Sequence, residues 1–329
     1  MAFRKAKQGR IGGKFLSYGL ESSGKSMFQL TFPCVACEDS ETGIAHYEGR
    51  DITLNNGVTY NNLVMVDNSA DLDALEENLD DLLSGEYDDQ IKTFSIDSET
   101  KFYNTMQLSA QEIEEKRARK KGGDVDDANI SQRSWGKIKV INMKLQQAKI
   151  DLSARGIHVV SIAQANEIKD EDNKKVIGYK PDMHKSVKFD YDTILRHYTT
   201  KDKDGTIHYY AEVQKDRTNV TKIGDIIENP TYDIWKSYYD SMNGLDVIQT
   251  SYRKDIDTST KSLEDETIRV EELVVEWKKD MKSINENKDI EAIKKINALI
   301  KEKGIDVKKI DLSALKDMQE IYDLTRSLI

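Results

Sequence analysis

The sequence predicts an α/β protein with a mostly parallel sheet flanked by helices, followed by an all-helical C-terminal region. Three observations carry this. Short apolar runs of strand length alternate with helix-period segments up to about residue 188. A glycine-flanked loop joins the first strand to the first helix. From Leu263 onward only helical periodicity is present, as in Ile290, Ile293, Ile296, Leu299 and Ile300. The length of 329 residues suits about two domains. The boundaries read from composition are a core over 1–253, a polar linker over 254–262 and a helical region over 263–329.

The elements follow in order. Residues 14–18 read as a strand, and Met27, Phe28, Leu30 and Phe32 as a helix ending near Pro33. Residues 34–38, 64–66 and 93–96 are further strand-length runs. Leu72, Leu75, Leu79, Leu82 and Leu83 place an amphipathic helix over 70–84. Between Asp71 and Asp89 there are nine acidic residues and no basic one, which reads as a solvated face. Helices are expected over 98–118 and 135–154, with a loop at 122–127 between them. Residues 157–163 (Ile-His-Val-Val-Ser-Ile-Ala) form the strongest buried-strand signal. Asp204-Gly205 between Thr193–Thr200 and Thr206–Val213 signals a hairpin. Gly304 and the stretch 306–311 are expected to break the last helices.

Composition excludes several classes. No stretch approaches 18 apolar residues, so no membrane-spanning helix is expected. The basic start leads into no apolar run, so no secretory signal is read there. Two cysteines cannot build a disulfide framework, and a reducing, cytoplasmic location is expected. A net charge of −10 is not that of a protein coated with nucleic acid, so any such contact must use local basic patches.

The chemistry lies in Gly19-Leu20-Glu21-Ser22-Ser23-Gly24-Lys25-Ser26, which fits G-x-x-x-x-G-K-[ST]. Glycines let the backbone wrap phosphates at a helix N-terminus. Lys25 is expected to reach the β- and γ-phosphates, and the Ser26 hydroxyl to ligate Mg²⁺. A flexible surface loop could show the same letters, but here the motif follows a strand and opens a helix. A second carboxylate for the metal shell is expected at the end of a neighbouring strand, and Asp97 fits. Its structural alternative is a helix cap. Two carboxylates, Glu41 and Glu99, are candidates to activate water, and spacing does not choose between them.

The motif Gly-x-Glu-Ser-Ser-Gly-Lys-Ser resembles the P-loop of bacterial RecA recombinase. Asp39-Ser40-Glu41 is similar to that family's Asp-x-Glu, whose glutamate activates water. Asp97-Ser98 looks like its metal-binding strand end. Ile162-Ala163-Gln164 looks like the strand whose glutamine senses the γ-phosphate. Lys215-Asp216-Arg217 is similar to the basic pair that completes a neighbouring subunit's site. A closer resemblance is to phage RecA-like ATPases, some of which assist single-strand annealing. It is carried by Trp135, by Gln214-Lys215-Asp216-Arg217 and by the run 226–232. The resemblance covers roughly residues 12–230. It does not extend to the N-terminal segment by which bacterial RecA links subunits, nor past residue 262.

That resemblance implies a RecA-like core that hydrolyses ATP with Mg²⁺, in a homo-oligomer whose subunits share their sites. Gly19, Glu21, Ser22, Ser23, Gly24, Lys25 and Ser26 would bind the nucleotide, and Ser26 and Asp97 the metal. Glu41 would activate water, Gln164 would sense the γ-phosphate, and Lys215 and Arg217 would complete a neighbour's site.

Two loops are candidates to bind single-stranded DNA. The first holds Lys116, Arg117, Arg119, Lys120 and Lys121 beside Gly122-Gly123, with Arg133 joining them. The second spans 166–188, with Lys169, Lys174, Lys175, Lys180, Lys185 and Lys188, and with Tyr179 and His184 as stacking groups. Asp170, Glu171 and Asp172 oppose it. A solvated charged loop is the plain alternative for both. A single-strand-binding or annealing protein is a further expected partner.

Other patterns carry less. Cys34 and Cys37 lack a second pair, so they read as core thiols rather than a zinc site. Asp202 and Asp204 lack the other ligands of a calcium loop. The five histidines show no ligand spacing, and His158 reads as a core residue. Trp235, Tyr238 and Tyr239 read as packing. The reading from another class is a nucleotide-switched loader or assembly factor that holds a protein partner through its C-terminal helices. A small-molecule kinase would need an arginine-rich lid, which the chain does not offer.

Overall fold

The computed structural model describes residues 5–328 apart from 56, 171, 173, 249, 288 and 306–314, and leaves the side chains of 261–270 and 315 undescribed. The expected break at 306–311 and the acidic Glu171 therefore lie outside the described residues. The chain divides into two units, 1–250 and 251–329.

In the first unit the elements run β1 (Lys14–Gly19), α1 (Lys25–Gln29), β2 (Val35–Asp39), β3 (Ile52–Thr53), β4 (Thr59–Tyr60), β5 (Leu63–Asp67), α2 (Leu72–Ser84), β6 (Thr93–Asp97), α3 (Glu99–Lys120), α4 (Gln132–Ala154), β7 (His158–Lys169), β8 (Val176–Pro181), β9 (Thr193–Lys201), β10 (Ile207–Asp216), β11 (Ile226–Glu228) and α5 (Asp233–Asp240). The main sheet has the order β11-β10-β9-β1-β7-β6-β2-β5, with β8 paired to β7. The strands from β9 to β5 are parallel to their neighbours, while β10, β11 and β8 pair antiparallel. This is the α/β class the sequence predicts: the P-loop strand β1 is central, and β7 separates it from the Asp97 strand β6.

Strand alternation sorts side chains to the two faces. On one face Phe15, Val160, Ile162 and Leu195 pack against Phe28 of α1 and Trp235 and Tyr239 of α5. Phe15 meets Phe32 and Trp235 edge-on at 4.9 and 5.4 Å between ring centroids, a favoured aromatic geometry. On the other face Phe94, Ile96 and Val159 lie under Leu75, Leu79 and Leu82 of α2, Phe102 of α3 and Leu145 and Leu152 of α4. Asp71 caps α2 by accepting from the Asp73 N–H at 3.0 Å, and Gly85 ends it at φ 93°.

Several expectations change. The first helix stops at Gln29, and residues 30–32 continue as turns before Pro33. Residues 166–188 are mostly not a loop. β7 runs on to Lys169 and pairs antiparallel with β8, so a two-stranded extension continues beyond the main sheet. Cys37 is buried, but Cys34 precedes β2, with a left-handed φ of 44°, and is only half-buried. Core placement thus holds for one thiol.

His158 is buried as expected, its Nδ1 accepting from the Gly13 N–H at 2.9 Å. The Asp202–Thr206 turn closes the predicted hairpin.

The second unit holds α6 (Tyr252–Glu286), α7 (Ile290–Lys303) and α8 (Leu315–Ser327), around Leu273, Trp277, Ile284, Ile296, Met318 and Ile321. The expected linker at 254–262 is helical, inside α6. It contains no Gly or Pro, and Ser251 caps it by accepting from the Lys254 N–H at 3.4 Å. A helix polar on all sides has the composition of a linker.

One buried ion pair ties α3 to α4. Lys149 Nζ lies 2.5 Å from Glu99 Oε2 and also donates to Ser161 Oγ, while Tyr191 and Gln146 donate to the same carboxylate. Both charged side chains are at most 3% exposed. Removing one partner strands the other charge. Lys149→Met should therefore lower the free energy of unfolding by about 3–5 kcal/mol, and adding Glu99→Leu should recover most of that loss. Urea unfolding of both variants checks it.

Candidate nucleotide site

The loop after β1 is shaped by backbone that only certain residues tolerate. Gly24 has φ 90° and Ser22 φ 55°. A Cβ on Gly19 would sit 2.4 Å from the carbonyl oxygen of His197 and 2.7 Å from Ser23 Oγ, so no side chain fits there. The Ser23 hydroxyl donates to the Leu20 carbonyl at 2.8 Å. Lys25 folds back on the same carbonyl at 2.6 Å, and burial lowers its pKa. The loop opens α1, as a phosphate cradle requires.

Ser26 Oγ donates to Asp97 Oδ2 at 2.6 Å, and Gln29 Nε2 donates to the same oxygen at 2.8 Å. Burial pushes the Asp97 carboxyl up to about 6; the Ser26 hydrogen bond opposes the shift, and the nearby Glu41 and Asp39 charges add to it. A hydroxyl and a carboxylate side by side in excess negative charge suit Mg²⁺, which takes few protein ligands and completes its shell with water and phosphate oxygens. Among the described residues no cluster of three or more His, Cys, Asp or Glu could hold a metal, so no all-protein cage competes.

Glu41 and Gln164 meet at this end of the sheet. Gln164 Nε2 donates to Glu41 Oε1 at 2.9 Å, and Ser98 Oγ donates to the same oxygen at 2.6 Å. Asp39 sets the loop that carries Glu41, accepting from the N–H groups of Gly43, Ile44 and Ala45. Glu99 points elsewhere: it is 2% exposed and committed to Lys149, Tyr191 and Gln146. Its charged form is held by that lysine against the cost of burial.

Beside the loop lies a cleft of about 340 Å³, walled by Tyr47, Leu54, Asn55, His197, Tyr209 and Asn229. This is a size suited to a small ligand. Burial pushes the His197 imidazole down to about 3, so it stands neutral beneath the loop. Sequence reasoning missed these walls. They come from segments far apart in the chain, and no local pattern marks them.

Lys215 and Arg217 are not brought to this site. Asp216 pairs with Thr193, which pairs with Phe15, so they sit at the opposite end of the sheet from Gly19. Lys215 donates to the carbonyls of Phe189 and Tyr191, and Arg217 to Asp192 at 3.3 Å. Lys116, Arg117, Arg119 and Lys120 lie in the last turns of α3 and Lys121 caps it, so they form a helix end rather than a loop. Lys116, Arg117 and Arg119 pair with Glu112, Glu114 and Glu115 of their own helix. Arg133 is exposed in the first turn of α4. On the β7–β8 hairpin Lys169 pairs with Glu167 and Lys174 with Asp172, while Lys175 and Lys180 are exposed. Tyr179 lies against Arg196, and His184 edge-on to Tyr103.

No helix among the described residues is long and apolar enough to cross a membrane. No curated protein sequence matches the chain. Among solved structures, it is similar to the flagellar accessory protein FlaH from Methanocaldococcus jannaschii, at 11% identity and a TM-score of 0.36, over 67% of this chain and 85% of that one. A family model described as an AAA domain matches residues 12–223, more than half of the chain. With a nucleotide loop in place at the end of β1, this protein belongs to the AAA domain family.

Proposed function

We propose that the protein is a Mg²⁺-dependent ATP hydrolase that acts in DNA recombination or single-strand annealing, as an oligomer with shared sites. The observation that carries the hydrolytic reading is the connected set Ser26–Asp97 and Ser98–Glu41–Gln164 beside the phosphate loop. Residues 19–26 would wrap the phosphates. A phosphate oxygen would draw Lys25 away from the Leu20 carbonyl, because a charged acceptor binds an ammonium more strongly than a neutral one. Mg²⁺ bound by Ser26 and Asp97 would neutralise charge on the phosphate oxygens. Glu41 would take a proton from the attacking water, held in position by Ser98 and Gln164. Gln164 begins the exposed stretch of β7, so a change at the phosphate would pass into the β7–β8 hairpin with its lysines.

The DNA reading rests on the RecA-like resemblance and on the exposed basic residues Lys120, Lys121, Lys175 and Lys180. Lys215 and Arg217, far from their own loop, would reach a neighbour's nucleotide instead. A second reading, a nucleotide-switched loader or assembly factor, is favoured by the pairing of Lys116, Arg117 and Arg119 within their own helix, which leaves less charge for phosphates.

Lys25→Ala should abolish hydrolysis, whereas Glu41→Gln should keep nucleotide binding and lower kcat by about 100-fold or more. Steady-state turnover and nucleotide titration measure both, and unchanged turnover in Glu41→Gln removes Glu41 as the base. Single-stranded DNA should stimulate hydrolysis, with the effect fading as salt rises; indifference to DNA at low salt favours the loader reading. Mixing Lys215→Ala with Lys25→Ala should restore part of the activity. No rescue at any ratio overturns the shared site.

A further inference from the structure

We propose that α2 and α4 form a two-fold interface between copies of this chain, the acidic helix of each lying on the basic helix of the other. The inference does not depend on what reaction the P-loop performs.

Both helices cover the same face of the sheet. α4 buries Ile138, Leu145 and Leu152 and turns Arg133, Lys137, Val140, Met143 and Lys144 outward. These outward positions recur every three or four residues, as one stripe of a helix. Val140 and Met143 are each 52% exposed. No acidic residue occurs between Asp127 and Asp151. α2 has the opposite character. It buries Leu75, Leu79 and Leu82 and exposes Asp73, Glu76 and Glu77, with no basic residue anywhere between Asp71 and Asp89.

A negative helix beside a positive, partly apolar one is self-complementary. A two-fold axis running between them sets each acidic stripe over a basic one, twice, which is the isologous arrangement commonest among soluble oligomers. The chain as a whole is at −10 and repels its copies at long range, so the attraction must be local and sensitive to salt. Phosphates would use the lysines but not Val140 and Met143. A second copy's α2 would meet the lysines with carboxylates and cover Val140 and Met143 as it packs.

The test takes full-length, nucleotide-free protein and follows its mass by sedimentation as a function of concentration. The wild type should dimerise, less tightly as salt rises. Lys137→Glu with Lys144→Glu should raise the dimer dissociation constant by about tenfold or more, and Glu76→Lys with Glu77→Lys should do the same. Mixed in equal amounts, the two variants should pair again, since each then meets its opposite on both sides. Circular dichroism checks that these surface changes leave the fold intact. A monomeric wild type, variants that associate like the wild type, or a mixture that stays monomeric would each overturn the proposal. So would loss of oligothymidylate binding in the α4 variant with its self-association unchanged, which would make the stripe a nucleic-acid contact.

Discussion

The register of β1 between β7 and β9 governs the site. Gly19 stands opposite Gln164 on one side and His197 on the other. The loop leaves the sheet at that point with the His197 carbonyl so close that a Cβ cannot be added. Parallel pairing brings the C-terminal ends of β1, β2, β6 and β7 to one edge, where open α/β sheets hold their ligands. Slipping any of these strands by one residue would turn its end residue to the wrong face.

The same constraint explains why charge gathers there. Asp39 and Asp97 are paired across β2 and β6, and Asp97 is paired with Ile162 across β7. Each carboxylate has a separate task to fill locally: Asp39 caps a turn, while Asp97 takes the Ser26 hydroxyl. Burial first, and then the nearby Glu41 and Asp39 charges, raise the Asp97 carboxyl. Lys25 is the nearby cation, and it also loses hydration by burial. Under the proposed function, a phosphate ligand would bring a divalent cation to offset these carboxylates.

On the face covered by α2, α3 and α4, a different constraint holds. The Glu99–Lys149 pair is buried and fully bonded, and it fixes how α3 leaves β6 just after Asp97. A buried pair of this kind adds little net stability but strongly penalises arrangements that separate it. The start of α3, and with it Ser98 under Glu41, is thereby held in place.

The sequence alone determined the P-loop, the Asp97 strand end, the parallel core and the helical C-terminal region. Those features are local: glycine at a left-handed φ, apolar alternation along a strand, and leucines at helical spacing report on themselves. Only the tertiary structure decided between Glu41 and Glu99 as the carboxylate at the site edge, because both follow strand ends and their difference is burial by a lysine about fifty residues away. It also turned 166–188 from a loop into a hairpin, and 254–262 from a linker into helix, since polar residues pair backbone as readily as apolar ones. The walls of the cleft, Tyr47, Tyr209 and Asn229, come together from remote segments, and long-range convergence of that kind leaves no pattern in the chain.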